Sequence, residues 1–339
     1  MTGESPAADG TIVTAGPGYD AAVARAAWRG ADDRVVIAFA GPKAAETLNG
    51  LLTNDIARLS PGRGVYAAAL TPKGKVIADV RVFADDDGGF IVDTSAAAGV
   101  PLLAMLRKFV NPRLARYADI SAQRRTIRVA GSDAARVVAA ATGVSRTALD
   151  ALAPFATTAG AAGSAPLRVV RAPDLGVPCF DVLCDTAARE TLAAAIAADA
   201  EPLDAGSAEV LRIEAGWPRF GADFDESVLA QEAGLDRLGG ISFDKGCYTG
   251  QETVARVHFR GHVNRVLRGL RSRELITPGA DILSTDGRPV GTVRSAAVSP
   301  RLGPIALAYV RREVADGEAV SVAGVSGAVT ATVAGLPFA

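Results

Sequence analysis

One short segment of the sequence, residues 245–252, carries the densest reactive chemistry of the chain. It reads Lys-Gly-Cys-Tyr-Thr-Gly-Gln-Glu, so the thiol of Cys247 lies two residues from the ammonium of Lys245. Thr249 and Glu252 have the spacing of a capping box, which predicts that a helix begins here. A nearby cation and the positive end of a helix dipole both favour the reactive thiolate. Most free cysteines are packing groups, so local chemistry leaves both roles open.

A second candidate is an acid inside an apolar run. Glu214 lies within residues 210–223 and is followed by Ala, Gly and Trp. A buried carboxylate beside an aromatic ring could recognise a flat ligand that carries several N–H donors. Charged residues are mostly exposed, so the residues alone favour a solvated Glu214 that pairs with Arg212 or Arg219.

The composition of the chain limits the classes of protein to which it can belong. The chain has 339 residues, of which 49% are hydrophobic, and this is enough for two or three domains. Lys and Arg total 36 against 37 Asp and Glu, a balance that argues against direct DNA binding. The 3 cysteines form no C-x-x-C pair, which is typical of a reducing, cytoplasmic setting. No apolar run reaches the roughly eighteen residues that cross a bilayer, so no membrane contact is expected.

Apolar periodicity predicts an α+β fold with two split βαβ-like units and a C-terminal β-barrel. Residues 1–19 lack the pattern of a signal peptide and are predicted to form a disordered tail. Residues 157–164, rich in Gly and Ala, are predicted to form an exposed loop of the second unit. Beyond residue 263, short strands separated by Gly- and Pro-containing turns predict the barrel. The predicted domains are 20–125, completed by 203–262, then 126–202, and finally 263–339.

The remaining cysteines are assigned to packing. Cys179 and Cys184 lie an odd number of positions apart on one predicted strand, so their side chains point to opposite faces. They cannot bind one metal ion together, and no metal site is predicted.

The segment around Cys247 extends into a longer motif. Residues 240–252 read GISFDKGCYTGQE, and VAR and FRG follow at residues 254–256 and 259–261. Supporting motifs are a strand-helix-TND segment, a G-x-x-x-x-D strand and an R-x-E-x-G-x-x-x-x-G-x-D segment, at residues 39–55, 74–83 and 211–223. Together they resemble the YgfZ family of folate-binding proteins, in the superfamily of the glycine-cleavage T-protein, an aminomethyltransferase.

This resemblance implies a three-domain ring around a central cavity for folate, with tetrahydrofolate or a one-carbon derivative as the cofactor. The acid that recognises the pterin in the T-protein corresponds to Glu214, and a carboxylate suits two parallel N–H donors. Asp79 corresponds to the acid near the reactive folate nitrogen, which makes it the candidate proton-transfer group. Trp217 is expected to stack on the pterin. Tyr248 and Arg256 are expected to be further cofactor contacts. The basic stretch that contains Arg256 is either a solvated helix face or a positive rim for the glutamate tail of folate or for a partner's RNA.

The resemblance also implies a function. YgfZ-like proteins support assembly or repair of iron–sulfur clusters in selected enzymes, including tRNA-modifying ones. The partners implied here are folate and iron–sulfur client enzymes or assembly proteins, with Cys247 and Lys245 as the reactive groups. Three scattered cysteines cannot hold a four-Cys cluster, so Cys247 would act transiently or with a partner. The alternative is a tetrahydrofolate-dependent aminomethyl- or methyltransferase with Asp79 as its acid/base, although the T-protein lacks the cysteine motif.

Overall fold

The computed structural model describes residues 11–324 and 327–338. Its N-terminal elements are β1 (Val13–Thr14), α1 (Gly18–Ala24) and β2 (Ala27–Gly30). β1 pairs in parallel with a barrel strand, since Val13 lies opposite Ala297, and β2 pairs with the second sheet, where Trp28 lies opposite Val129. Regular structure therefore begins at β1, inside the segment predicted to be a disordered tail. β2 belongs to the second sheet, although its residues fall within the predicted first domain. Residues 1–10 of that predicted tail lie outside the described residues.

The first sheet is antiparallel and carries two helices. Its elements are β3 (Arg34–Ala40), α2 (Ala44–Leu51), β4 (Gly64–Leu70), β5 (Val76–Ala84), β6 (Phe90–Ser95), α3 (Ala96–Phe109) and β7 (Arg116–Asp119), with the strand order β4-β5-β6-β3-β7. α3 begins where the Ser95 hydroxyl accepts a hydrogen bond from the Ala98 N–H at 3.2 Å. Its apolar face, with Leu102 and Leu106, is buried in the main core.

The second sheet has the strand order β12-β2-β8-β11-β10-β9. Its further elements are β8 (Arg124–Ala130), α4 (Ala134–Thr142), α5 (Arg146–Asp150), β9 (Thr157–Ala162), β10 (Ala165–Arg171), β11 (Cys179–Asp185), α6 (Arg189–Ala197) and β12 (Glu201–Pro202). The loop predicted for residues 157–164 is wrong, because β9 pairs with β10 along its length. A Cβ on Gly160 would lie 2.8 Å from Val144, so this glycine reflects close packing of a strand.

Both cysteines of β11 are fully buried. Cys179 belongs to the core shared with the first sheet, whereas Cys184 belongs to the core beneath α4 and α6. The prediction that the two side chains point to opposite faces and pack is confirmed.

Two helices precede a closed barrel. They are α7 (Ala205–Glu214) and α8 (Gln251–Arg260), and the barrel strands are β13 (Arg265–Ser272), β14 (Asp281–Ser284), β15 (Pro289–Ser299), β16 (Gly303–Arg311), β17 (Ala319–Gly324) and β18 (Gly327–Ala334). The barrel closes because β16 pairs with both β13 and β15. This confirms the predicted α+β fold with a C-terminal barrel. In the described part of the chain, no helix is long and apolar enough to span a membrane.

The segment after α7 returns to the first sheet. The Val76 N–H donates to the Val228 carbonyl, and the Thr53 hydroxyl donates to the Gly240 carbonyl. α7 itself packs against β1 and β15. The exact domain boundaries remain a prediction.

Candidate functional site

A cavity of about 140 Å³ lies between the first sheet, the second sheet and α7. A smaller cavity of about 40 Å³ shares part of its lining. The residues common to both are Arg34, Asp79, Asp174 and Trp217. Because these four residues come from distant parts of the sequence, the folded chain builds the site from several elements.

Asp79 lies on β5 at the centre of this lining. Its Oδ2 accepts a hydrogen bond from the Tyr66 hydroxyl at 3.0 Å, whereas its Oδ1 is buried and has no hydrogen-bond partner among the described residues. Burial raises the pKa of Asp79, opposed by the hydrogen bond from Tyr66 and by the charge of Arg34. The residue is therefore a buried acceptor that takes up a proton more readily than an ordinary aspartate.

An aromatic wall, formed by Tyr66, Phe155 and Trp217, lines the smaller cavity. The Trp217 ring lies 5.4 Å from the Tyr66 ring and 6.2 Å from the Phe155 ring, measured between centroids. Phe155 has a φ of 63°, in the left-handed region that bulky residues rarely adopt. Such strain persists where the surrounding structure imposes it, and functional sites are common places for it. The wall offers a planar ligand a stacking surface.

Glu214 ends α7 and is buried, but it does not line this cavity. Its carboxylate accepts hydrogen bonds from the Tyr19 hydroxyl at 2.6 Å and from Ser299, and it forms an ion pair with Arg301. The residues alone favoured a solvated Glu214, and this is wrong because Glu214 is buried. In the described part of the chain the suggested pairs are also absent, since Arg212 pairs with Glu209 and Asp223, and Arg219 pairs with Glu209. These contacts tie α7 to α1 and to the barrel.

Lys245 uses its ammonium group inside the protein. The Nζ atom donates to the carbonyls of Asn49, Leu52 and Asn54 at 2.6, 2.7 and 2.7 Å. Burial lowers the pKa of Lys245 to about 8. Because a lysine has three donors, all of them are engaged by the C-terminal end of α2 and the turn that follows it. Lys245 therefore anchors the motif segment on the first domain.

The other residues of the motif lie away from both cavities. Cys247 is exposed, Tyr248 is buried beneath the Lys245 ammonium, and Arg256 is exposed on α8. The structure thus brings Asp79 and Trp217 together at the cavity, while the predicted motif contacts lie elsewhere.

The helix predicted after the motif is present, but the prediction that Thr249 and Glu252 cap it is wrong. α8 begins after Gly250, which has a φ of 86° and provides no side-chain cap. The Thr249 N–H instead donates to the Gly50 carbonyl, so the backbone of the motif is tied to α2.

Gly250 gives a first prediction. Gly250→Ala is expected to destabilise the protein by about 2 kcal/mol or more, because a left-handed alanine is strained. In addition, its Cβ would lie 2.6 Å from the Thr71 carbonyl oxygen. Chemical denaturation measures the loss of unfolding free energy. Gly239→Ala is the matched control, with a φ of 71° but no atom within 4 Å of a new Cβ. Equal losses in the two variants would show that the close contact contributes nothing.

Sequence reasoning missed most of the charged lining. Besides Arg34 and Asp174, the cavity is lined by charged residues from β2, from β8, from α7 and from the loops after β2 and α7, namely Arg29, Asp33, Arg128, Glu209, Arg212 and Arg219. Arg212 and Arg219 lie in the motif of residues 211–223, but the sequence suggested them only as ion-pair partners of Glu214. Arg29, Asp33, Arg128 and Glu209 lie in no motif that the sequence indicated.

Comparisons with known proteins agree with this architecture. The family model of the GCVT N-terminal domain matches residues 34–245, and that of the glycine cleavage T-protein C-terminal barrel domain matches residues 265–339. The chain is 29% identical over 294 residues to the probable aminomethyltransferase of Haloarcula marismortui, covering 83% of this chain and 78% of that protein. It is 31% identical over 275 residues to the tRNA-modifying protein YgfZ of Edwardsiella ictaluri, covering 78% of each.

A solved structure gives the same answer for the fold. The glycine cleavage system aminomethyltransferase T from Bartonella henselae matches with a TM-score of 0.85 at 22% identity, covering 95% of this chain and 88% of that one. This likeness confirms the three-domain arrangement of the T-protein type. Since the first family model spans more than half of the chain and a YgfZ protein is more than 30% identical to it, the chain belongs to the family of the glycine cleavage T-protein and the YgfZ proteins.

Proposed function

We propose that this chain binds tetrahydrofolate, or a one-carbon derivative of it, and supports assembly or repair of iron–sulfur clusters in selected enzymes, including tRNA-modifying ones. The observation that carries the ligand assignment is the Oδ1 of Asp79, which no described residue contacts by a hydrogen bond, in a cavity with an aromatic wall. A buried carboxylate oxygen without a donor is costly unless a ligand supplies one. A reduced pterin is planar enough to stack and carries several N–H groups, so the residues present fit it.

Five residues of the cavity have roles in this proposal. Trp217 and Tyr66 orient the ring by stacking, and the Tyr66 hydroxyl holds Asp79 in place. Asp79 accepts an N–H of the ligand and holds or releases a proton there. Arginines of the lining, such as Arg29 and Arg219, offer guanidinium groups to the glutamate carboxylates. When bound, tetrahydrofolate supplies the nitrogen atoms that carry one-carbon groups.

The iron–sulfur role rests on different support. The YgfZ relative is named a tRNA-modifying protein, and the motif of this chain contains the exposed thiol of Cys247. An exposed thiol on an anchored segment is accessible to a protein partner, which a cavity residue is not. We therefore assign Cys247 as the reactive group toward client enzymes or assembly proteins in the cytoplasm, and Lys245 as the residue that positions its segment.

A second candidate function is a tetrahydrofolate-dependent aminomethyl- or methyltransferase with Asp79 as acid/base. It is favoured by the raised pKa of Asp79, since a buried acid that can carry a proton suits general acid/base chemistry. Relatives named aminomethyltransferase support it too.

Titration with tetrahydrofolate, followed by tryptophan fluorescence, tests the ligand assignment. Wild-type protein is expected to bind, and Asp79→Ala to bind about 5- to 150-fold more weakly, because a ligand N–H loses its acceptor at a cost of about 1–3 kcal/mol. Burial raises the pKa of Asp79, so affinity should fall on acidification at a higher pH than an ordinary carboxyl would give.

Asp286→Asn, at an exposed acid of the barrel, is the control and should bind like the wild type. Wild-type protein that binds no tetrahydrofolate under conditions where it is folded would remove the cofactor assignment.

A further inference from the structure

Asp174, in the loop between β10 and β11, resembles Asp79 in its hydrogen bonding. It lines both cavities. Its Oδ2 accepts a hydrogen bond from Arg128 at 2.7 Å, whereas its Oδ1 is buried and has no hydrogen-bond partner in the described part of the chain. One oxygen is therefore held by the protein, and the other is left for a ligand.

A buried network of charged residues, which contacts Asp174 through Arg128, fixes the orientation of the Asp174 carboxylate. Arg128 donates through Nε to Oδ1 of Asp181 at 2.7 Å and through a second nitrogen to Oδ2 at 2.9 Å. Asp181 is fully buried and also pairs with Arg81 of the first sheet. Because Arg128 is held on both sides, the carboxylate of Asp174 cannot turn without losing its ion pair.

The cavity thus contains two carboxylates, one from each α+β domain, and in each of them only one oxygen accepts a hydrogen bond from the described residues. Tyr66 occupies one oxygen of Asp79, and Arg128 occupies one oxygen of Asp174. We propose that Asp174 is a ligand-binding residue that accepts an N–H of the bound pterin, so that the second domain contributes directly to recognition. This inference rests on the proposed binding of tetrahydrofolate and adds a residue that the sequence motifs did not indicate.

Two separate carboxylate acceptors favour those pterins whose N–H groups can reach both of them. An oxidised pterin carries N–H groups on its pyrimidine ring alone, whereas a tetrahydropterin carries them on both rings. A ligand with donors on both rings satisfies both carboxylates, and an unsatisfied buried acceptor is costly. The pair therefore favours the reduced cofactor over folic acid.

Three variants test the role of Asp174, with affinities for tetrahydrofolate measured by calorimetry on the full chain. Asp174→Ala removes the acceptor and is expected to weaken binding about tenfold. Asp174→Asn is expected to weaken binding further, because Arg128 holds the amide oxygen and the amide NH₂ then faces the ligand N–H. Asp185→Asn, in an exposed ion pair with Arg124 on β11, should bind like the wild type.

The outcomes separate this inference from the proposed function. If wild-type protein binds no tetrahydrofolate, the proposed function fails first. If it binds and both Asp174 variants bind within about twofold of wild type while melting normally, the role of Asp174 is refuted. A loss confined to tetrahydrofolate supports contact with the reduced ring, and an equal loss for folic acid supports contact with the pyrimidine ring. Should Asp174→Asn fail to fold, Asp174→Ala alone decides.

Discussion

Asp181→Asn is expected to lower the free energy of unfolding by about 3–5 kcal/mol, the cost of removing one partner from a buried ion pair. Asp181 is fully buried on β11 and accepts from Arg128 and Arg81. Arg81 also pairs with Asp93, so the network joins the first and second sheets. An asparagine would leave both guanidinium groups short of negative charge at a fully buried position.

The same network makes the free energy of unfolding depend on pH. The two guanidinium groups oppose the cost of burial and hold the pKa of Asp181 well below its usual range. A depressed carboxyl pKa stabilises the folded state at every pH above the unfolded value of about 3.9, and this contribution is lost as the pH falls further. The stability gap between wild type and Asp181→Asn should therefore be constant near neutrality and shrink below about pH 4.

Urea denaturation of both proteins across this pH range measures the gap. Asp185→Asn is a control on the same strand, because its ion pair with Arg124 is exposed and should contribute less than about 1 kcal/mol. A neutral-pH loss no larger for Asp181→Asn than for Asp185→Asn would refute the structural role of the network.

Cys247→Ser is expected to abolish cellular function while leaving tetrahydrofolate affinity unchanged. In cells that lack the native gene, activities of iron–sulfur enzymes should fall to the level of the deletion, because serine is nearly the size of cysteine but cannot form the thiolate. The affinity should persist because Cys247 does not line the cavity. Activities of several iron–sulfur enzymes, measured beside glycine-cleavage flux, provide the readout.

Asp244→Asn, an exposed substitution in the same segment, is the control for Cys247→Ser. The transferase candidate predicts the opposite pattern. Asp79→Asn should then reduce one-carbon transfer by about 10²- to 10⁴-fold, the usual contribution of a general acid/base, with Cys247→Ser fully active. That pattern would exclude the iron–sulfur proposal.

The fold was largely predictable because its elements have clear periodicities. The barrel strands beyond residue 263 are separated by the Gly- and Pro-containing turns that predicted them. The errors have local causes. Small residues that pack closely in β9 resemble a loop in sequence, and the two residues of β1 are too short a strand to show alternation.

The candidate site was predictable only in part. Asp79 and Trp217 fall in recognisable motifs and do meet at the cavity. Asp174 could not be found, because its relevance depends on one oxygen that Arg128 leaves free, and this is a property of tertiary geometry. The motif also suggested Lys245 as an activator of the thiol, whereas its three donors are engaged by backbone carbonyls.

The placement of residues 13–30 has a consequence for the order of synthesis. β1 pairs with β15 of the barrel, and β2 pairs with β8 of the second sheet. On the ribosome these first strands must wait for partners translated much later, β15 last of all, since domains fold in the order in which they emerge. β1 can therefore join the fold only after β15 has been made, and a deletion of residues 13–30 would remove one strand from the barrel sheet and one from the second sheet at once.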